Sequence, residues 1–320
     1  MDVTVIVPTR NRSALLAMTL RSVLRQQHVD LEVVVVDEAS TDDTHAVIAA
    51  FADCRVRVIR HARPVGVAAA RNRGAAEARA EWLSFLDDDD LWAPDKLVLQ
   101  LRAARDANVN WAYSGAVVID HHERFVRAEY PVPAASVRAA LLRYYPIPGG
   151  GSNILVRRST WQQAGPFDAR MPTTEDWDMC IRLAKHSAAA CVYRPSVARR
   201  IHATNSTLDI SEVVRGTKLL EATHETRVDW GKLHRWMAHS SLRAGKPRTA
   251  LGQFVRAALH GQSVAVASDL GAILRERIAA RFPQAARRDK PSDDPWRVAA
   301  SQWIAELRSD PGIAAAPENR

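Results

Sequence analysis

Cysteine is scarce: Cys54, Cys180 and Cys191 are the only three in 320 residues. They are too few and too scattered for a disulfide framework or a zinc site, so a reducing compartment is expected. Long apolar runs are also missing. No stretch reaches ~18 consecutive apolar residues, so none is expected to span a bilayer. The start, "MDVTVIVPTR", has an acidic second residue and a short β-like run rather than a signal peptide. No period is long enough to mark a repeat array. The expectation is a cytoplasmic protein, with peripheral contact at the inner face of the membrane as an open option.

Acidic residues are outnumbered, 36 against 44 Lys and Arg, giving a net charge of +8. Such an excess suits an anionic partner: nucleotide phosphates, an acidic lipid surface or nucleic acid. A coding bias toward Arg and Ala would produce the same excess, so charge alone does not choose. At 47% hydrophobic and 25% charged residues the composition is that of a globular protein. The length allows one α/β domain with a smaller companion.

The first hundred residues alternate between two periodicities. "VTVIVP" (3–8), "LEVVVVD" (31–37), "RVRVIRH" (55–61) and "EWLSFLD" (81–87) read as buried parallel strands. Between them lie a helix from Ser13 to about Gln27, one opened by a capping-box-like Ser40 and Asp43, and the Ala-rich "GVAAARNRGAAEA" (66–78). This is a doubly wound, Rossmann-like nucleotide-binding sheet, in which ligands sit at the carboxyl ends of the strands. Pro8-Thr9, Asp37-Glu38 and Asp87 to Asp90 all lie just past such ends and should converge.

Further on the pattern is less regular. "WAYSGAVVID" and "RFVRAEY" read as antiparallel strands around a His121-His122 turn. "GGGSNILVRR" (149–158) is a glycine turn entering a strand, "TTEDWDMCIRLAKH" (173–186) a capped helix, and "CVYRPSVARRIH" (191–202) an extended segment. Beyond about residue 210 the chain turns helical. Residues 230–261 form two amphipathic helices joined at Gly245-Lys246-Pro247, similar to a single tetratricopeptide-like hairpin. That pair is expected to pack on the catalytic domain, with a partner protein or anionic lipid as the other options. The chain from about Pro283 reads as loosely ordered, apart from a last helix in "PWRVAASQWIAEL".

Two acidic groups carry chemistry. In "FLDDDDLWAPDKL" an extended backbone would put Asp87 and Asp89 on one face, a pair suited to Mg²⁺ or Mn²⁺, with Asp88 and Asp90 on the other. The plain alternative is a polar turn before a helix opened by Pro94. In "TEDWD", Glu175, Asp176 and Asp178 are either first-turn acids favoured by the macrodipole or a source of a general base.

The ordered set "VIVPTRNR", "VVVVDEASTDDT", "GVAAARNRGAAEA", "FLDDDDLWAPDKL", "GSNILVRRSTWQQAGPFDARM" and "TEDWDMCIRLAK" resembles the family 2 glycosyltransferases of the GT-A fold over roughly residues 1–205. The resemblance implies a metal-dependent, inverting transfer of one sugar from a nucleotide-diphospho-sugar, UDP- or dTDP-linked by family habit, to an acceptor hydroxyl. It assigns nucleotide-sugar binding to Pro8, Thr9, Arg10, Asp37, Arg71, Asp87 and Asp88, metal binding (Mn²⁺ or Mg²⁺) to Asp89 with His202 close by, and base catalysis to Asp176 beside Glu175. Glu38 stands where Asp is frequent in the family. Trp177 is expected on the acceptor side, while Asp178, Arg157 and Arg158 carry no catalytic role.

Residues 1–209 would then be the catalytic domain, with 1–105 as the nucleotide-sugar-binding half and 106–209 as the acceptor-binding half; 210–320 would be a C-terminal α-helical region with a flexible end. The acceptor is open among a glycan, a lipid-linked sugar of the cell surface and a small molecule, and no nucleic acid is expected. Rival readings are weaker on the residues. A processive synthase would need Gln where "KLHRW" has Lys232, a phosphohydrolase would want Thr or Val in place of Asp90, and "PTRNRSA" lacks the glycines of a sugar nucleotidyltransferase. A non-catalytic binding module would tolerate loss of Asp89 or Asp176.

Overall fold

Four parallel strands begin the chain: β1 (Val3–Thr9), β2 (Leu31–Asp37), β3 (Val56–Arg60) and β4 (Trp82–Phe85). The computed structural model describes residues 1–202, 209–281 and 294–309. Val5 of β1 sits opposite Val33 of β2 on one side and Ser84 of β4 on the other. Every residue of β1 and β2 is buried, as in a parallel sheet covered on both faces. The connecting helices are α1 (Ser13–Leu24), α2 (Thr44–Ala50) and α3 (Val67–Ala76). Gly74 lets α3 approach β1 closely, since a Cβ there would stand 2.4 Å from Ile6.

The second half of the sheet is mixed. It contains β5 (Leu91–Trp92), β6 (Trp111–Ile119), β7 (Phe125–Glu129), β8 (Leu155–Arg157) and β9 (Ala189–Arg200). The order is β3-β2-β1-β4-β8-β6-β9-β5, with β7 pairing to β6. β8 runs antiparallel to both β4 and β6 and so joins the two halves into one sheet. Helices α4 (Lys96–Asp106), α5 (Ala134–Leu141), α6 (Arg158–Ala164) and α7 (Glu175–His186) complete this part.

The chain divides into two compact units. The first comprises residues 1–141, 145–202 and 296 onward; the second comprises 142–144 and 203–295. The second unit holds α8 (Ile210–His224), α9 (Trp230–Arg243), α10 (Pro247–Ala257) and α11 (Ser263–Arg281). The last helix, α12 (Pro295–Arg308), belongs with the first unit from Trp296 on. Its Trp303, Ile304 and Leu307 pack with Leu91, Val117, Ile119 and Ala198. Gly115 makes room for Trp296, whose ring would lie 2.0 Å from an added Cβ. Among the described residues no helix is long and apolar enough to cross a membrane.

The expected mixed α/β fold with C-terminal helices is observed, with local corrections. α1 ends at Leu24, where the chain tightens: the Gln26 N–H donates to the Val23 carbonyl three residues back at 3.2 Å. Ser40 does not cap α2. Its hydroxyl accepts from the Asn11 N–H, and Asp42 accepts from Thr44 at the helix start instead. α4 starts at Lys96 rather than Pro94, after a turn in which Lys96 N–H bonds the Ala93 carbonyl. The loosely ordered segment expected from Pro283 falls, up to residue 293, outside the described residues.

Candidate functional site

The four aspartates follow β4, whose buried "WLSF" drives them to the sheet edge. The backbone turns there, with Asp90 N–H donating to the Asp87 carbonyl at 3.2 Å. Alternation of an extended strand therefore does not apply, and the expected pairing of Asp88 with Asp90 on one face is corrected. Asp87, Asp89 and Asp90 converge, with carboxylate oxygens within 4.8 Å of one another. Asp88 turns instead toward the end of β1. It accepts from Thr9 Oγ1 at 2.8 Å, from the Arg10 N–H at 3.4 Å and from Arg12 at 2.9 Å. Burial and the charge of Asp89 push the Asp88 carboxyl up to about 6, against the pull of Arg12 and Thr9.

Each converging carboxylate has a different environment. Asp89 accepts from Arg12 at 2.9 Å and meets His202 Nε2 at 2.8 Å. Burial acts to raise its pKa, but His202 and Arg12 outweigh it and hold the carboxyl below the usual range. Asp90 accepts from Ser152 Oγ at 2.6 Å and from the Arg200 N–H at 3.0 Å. Burial and the neighbouring Asp89 and Asp87 drive its carboxyl well above the usual range. Asp87 is the open member, with its side chain 36% exposed. Buried Arg200 braces the turn, donating from Nε to the Asp89 carbonyl and from its terminal nitrogens to Glu123.

Three hard oxygen donors with mutual repulsion are a set that a divalent cation of the Mg²⁺ or Mn²⁺ type would fit. A cation would offset the repulsion by which Asp89 and Asp87, together with burial, drive the Asp90 carboxyl upward. His202 reaches this set through Asp89, so its position is that of a group orienting a ligand.

The loops after β1 and β2 adjoin the turn. Pro8 and Asp37 are buried and Arg10 exposed. Asp37 accepts from the Ser40 N–H at 2.9 Å and lies 3.6 Å from Arg60. Glu38 is engaged in holding the backbone, since it bonds His61 and accepts from the Val65 and Gly66 N–H groups at the start of α3.

The second acidic group is linked to the first by one cation. Buried Arg71, on α3, donates to Asp87 at 2.5 Å and to Glu175 at 2.8 Å. Burial opposes its charge, yet Asp87, Glu175 and Asp176 together raise its pKa above the ordinary arginine value. Glu175 thus holds the guanidinium directly, while Asp176, next in the first turn of α7, acts on it through charge alone. Burial and the charge of Glu175 push the Asp176 carboxyl up to about 7, opposed by Arg71 and the Tyr145 hydroxyl. Gly150, at φ +61°, lies beside Asp176; a Cβ there would be 3.2 Å from Oδ2.

Other expected positions are set apart from this chemistry. Trp177, expected on the acceptor side, is 4% exposed and donates from Nε1 to the Leu141 carbonyl, so it is corrected to a core residue fixing the end of α5. Asp178 pairs with Arg182 one turn later. Arg157 pairs with Glu81, and His121-His122 sit in the β6–β7 turn. Sequence reasoning does not single out Arg12, Ser152, Arg200 or Tyr145. Arg12 lies in "TRNR" and Ser152 in "GGGSN", so membership of those motifs is the available signal.

The family model described as "Glycosyl transferase family 2" matches residues 4–169. The succinoglycan biosynthesis protein ExoO of Rhizobium meliloti (strain 1021) is 32% identical over 224 residues, 67% of this chain and 64% of that protein. The UDP-Glc:alpha-D-GlcNAc-diphosphoundecaprenol beta-1,3-glucosyltransferase WfgD of Escherichia coli is 29% identical over 120 residues, 38% of this chain and 47% of its own. The chain therefore spans less than two thirds of either curated relative. Among solved structures, S. aureus TarS in complex with UDP-GlcNAc superposes with a TM-score of 0.55 at 16% identity, covering 96% of this chain and 82% of that one. The fold is thus of the GT-A kind, and the chain belongs to glycosyl transferase family 2.

Proposed function

We propose that this chain is an inverting glycosyltransferase that moves a single sugar from a nucleotide-diphospho-sugar to an acceptor hydroxyl in the synthesis of a cell-surface glycan. The observation that carries the reading is Arg71, a buried cation bridging Asp87 at the nucleotide edge of the sheet to Glu175 beside Asp176. It couples a donor-binding carboxylate to a base-bearing helix turn. Relatives named for succinoglycan synthesis and for a diphosphoundecaprenol-linked glucosyl transfer support the glycan class and make a lipid-linked acceptor the preferred one.

In the proposed reaction the acceptor oxygen bonds to the anomeric carbon as the bond from that carbon to the diphosphate oxygen breaks. Asp176 Oδ takes the acceptor proton, and a base with a pKa near 7 is well matched to that transfer. One carboxylate suffices for inversion by single displacement. Asp87 and Arg71 orient the donor, Thr9 and Arg12 hold Asp88 beside the β1 loop, and the buried surroundings keep water from competing. Asp87, Asp89 and Asp90 would hold a divalent cation, which when bound offsets charge on the departing diphosphate.

The test is a thermal-shift panel of UDP, dTDP, GDP and CDP, with and without Mn²⁺, on wild type and Asp89→Asn. Binding to the native state raises its stability with ligand concentration. One nucleotide should stabilise the wild type in a Mn²⁺-dependent way, and the variant should lose that shift. No shift with any nucleotide would remove the basis for the transferase reading.

A further inference from the structure

The second unit carries apolar side chains that face outward as well as those that face inward. Its helices bury Ala238, Phe254, Ala257 and Val266, with Leu242, Ala258 and Ile273 packed alongside. Leu251, Val255, Leu259 and Val264 face outward, at 60%, 53%, 81% and 85% exposure. Leu251, Val255 and Leu259 are four residues apart and so share one face of α10 and its continuation. The helical course breaks at His260 and Gly261, where φ is −93° and +83°, leaving Leu259 and Val264 on either side of a bend. Along α11, Val266 and Ile273 point inward while Leu270 and Leu274 face outward.

Charge selects the cover. No Asp or Glu occurs between Asp229 and Asp269, while Lys246, Arg248 and Arg256 are all exposed on or beside the same face. A second copy of the chain docking through this face would bring like charges together. Nucleic acid would leave the leucines and valines in water. An anionic lipid surface satisfies both groups at once, because phosphates meet the cations while the apolar side chains enter the acyl boundary.

We infer that the outer face of α10 and the bend into α11 form an interfacial docking site for an anionic bilayer. Leu259 and Val264 are its inserting residues, and Lys246, Arg248 and Arg256 its headgroup contacts. This deepens the reading above, where a lipid-linked acceptor is preferred, but it is read without any sugar or nucleotide.

The experiment is co-sedimentation of the full chain with phosphatidylcholine vesicles, with and without phosphatidylglycerol. The wild type should pellet only with phosphatidylglycerol, and salt should weaken it. Leu259→Gln with Val264→Gln, and separately Arg248→Glu with Arg256→Glu, should each weaken binding about tenfold or more. All four positions are exposed, so both variants should keep the wild-type melting temperature and nucleotide response. Equal binding by wild type and both variants, or none by the wild type, would overturn the inference. So would a concentration-dependent dimer that Leu259→Gln with Val264→Gln converts to monomer, since that assigns the face to a second copy. A nucleotide panel that fails while vesicle binding succeeds would sink only the transferase reading.

Discussion

The two acidic groups of the site use the same residue type in opposite ways. Asp87 to Asp90 crowd three carboxylates into one volume and hold them with Arg12, His202, Ser152 and Arg200 from three other segments. Glu175 and Asp176 are only two, and they share the single cation Arg71. In each group one carboxyl is forced upward by burial and by its neighbours: Asp90 beside Asp89 and Asp87 in the first, Asp176 beside Glu175 in the second. The difference lies in what relieves the strain. Three crowded carboxylates would be relieved by a cation, whereas Asp176, raised to about 7, would be relieved by a proton.

The largest expected effect breaks the second group. Asp176→Asn should lower the transfer rate about a thousandfold while nucleotide binding persists. In the wild type the rate should rise as pH climbs through about 7, because the base works deprotonated. Stability runs the other way. The folded pKa of Asp176 lies above its unfolded value, so its contribution is favourable at low pH and is lost as pH rises through about 7. Asp176→Asn should therefore melt higher than the wild type at pH 8, with a smaller difference at pH 5. Equal melting curves at both values would contradict the assigned environment.

Next comes the link between the groups. Arg71→Gln leaves Glu175 buried with its partner removed, and should cost about 3 kcal/mol in urea unfolding. Arg71→Lys should recover only part of this, since one ammonium cannot reproduce the fork to Asp87 and Glu175. Within the first group, His202→Ala removes a partner of Asp89 and should weaken Mn²⁺ affinity about tenfold in a direct titration, with the fold unchanged. Unaltered affinity would make His202 a bystander.

The smallest effect lies outside both groups. Lys96 is fully buried, with Nζ 3.2 Å from Ser84 Oγ and 3.7 Å over the Trp92 ring. Burial pushes its pKa well down, so the unfolded chain binds a proton that the folded one sheds. That penalty grows as pH falls below the ordinary lysine range. Lys96→Met should add about 1 kcal/mol of stability at pH 7 and less at pH 10. A destabilised variant would show that the Ser84 and Trp92 contacts outweigh burial.

The first four strands are legible in the sequence because their determinants are local. "LEVVVVD" coincides with β2, and the Gly245-Lys246-Pro247 joint between α9 and α10 is visible for the same reason. The turn at Asp87 to Asp90 is not legible, because alternation presumes an extended backbone. Its curvature is fixed by Ser152 and Arg200, which lie 62 and 110 residues from Asp90. Trp177 escapes for a similar reason: only the Leu141 carbonyl, on another helix, shows which way the indole points. Helices α5 and α6, of 8 and 7 residues, are too short to display a period. The acidic residues are recognisable individually; what each one touches depends on segments that sequence spacing does not bring together.

Trp296 fills the gap left by Gly115, although 181 residues separate them along the chain (296 − 115). Synthesis proceeds from the amino end, so the sheet emerges from the ribosome long before the helix that covers Leu91, Val117 and Ile119. During that interval an apolar sheet face awaits its cover, with the second unit still to be translated before that helix arrives. The sheet face formed by Leu91, Val117 and Ile119 is therefore completed only by the last described helix of the chain.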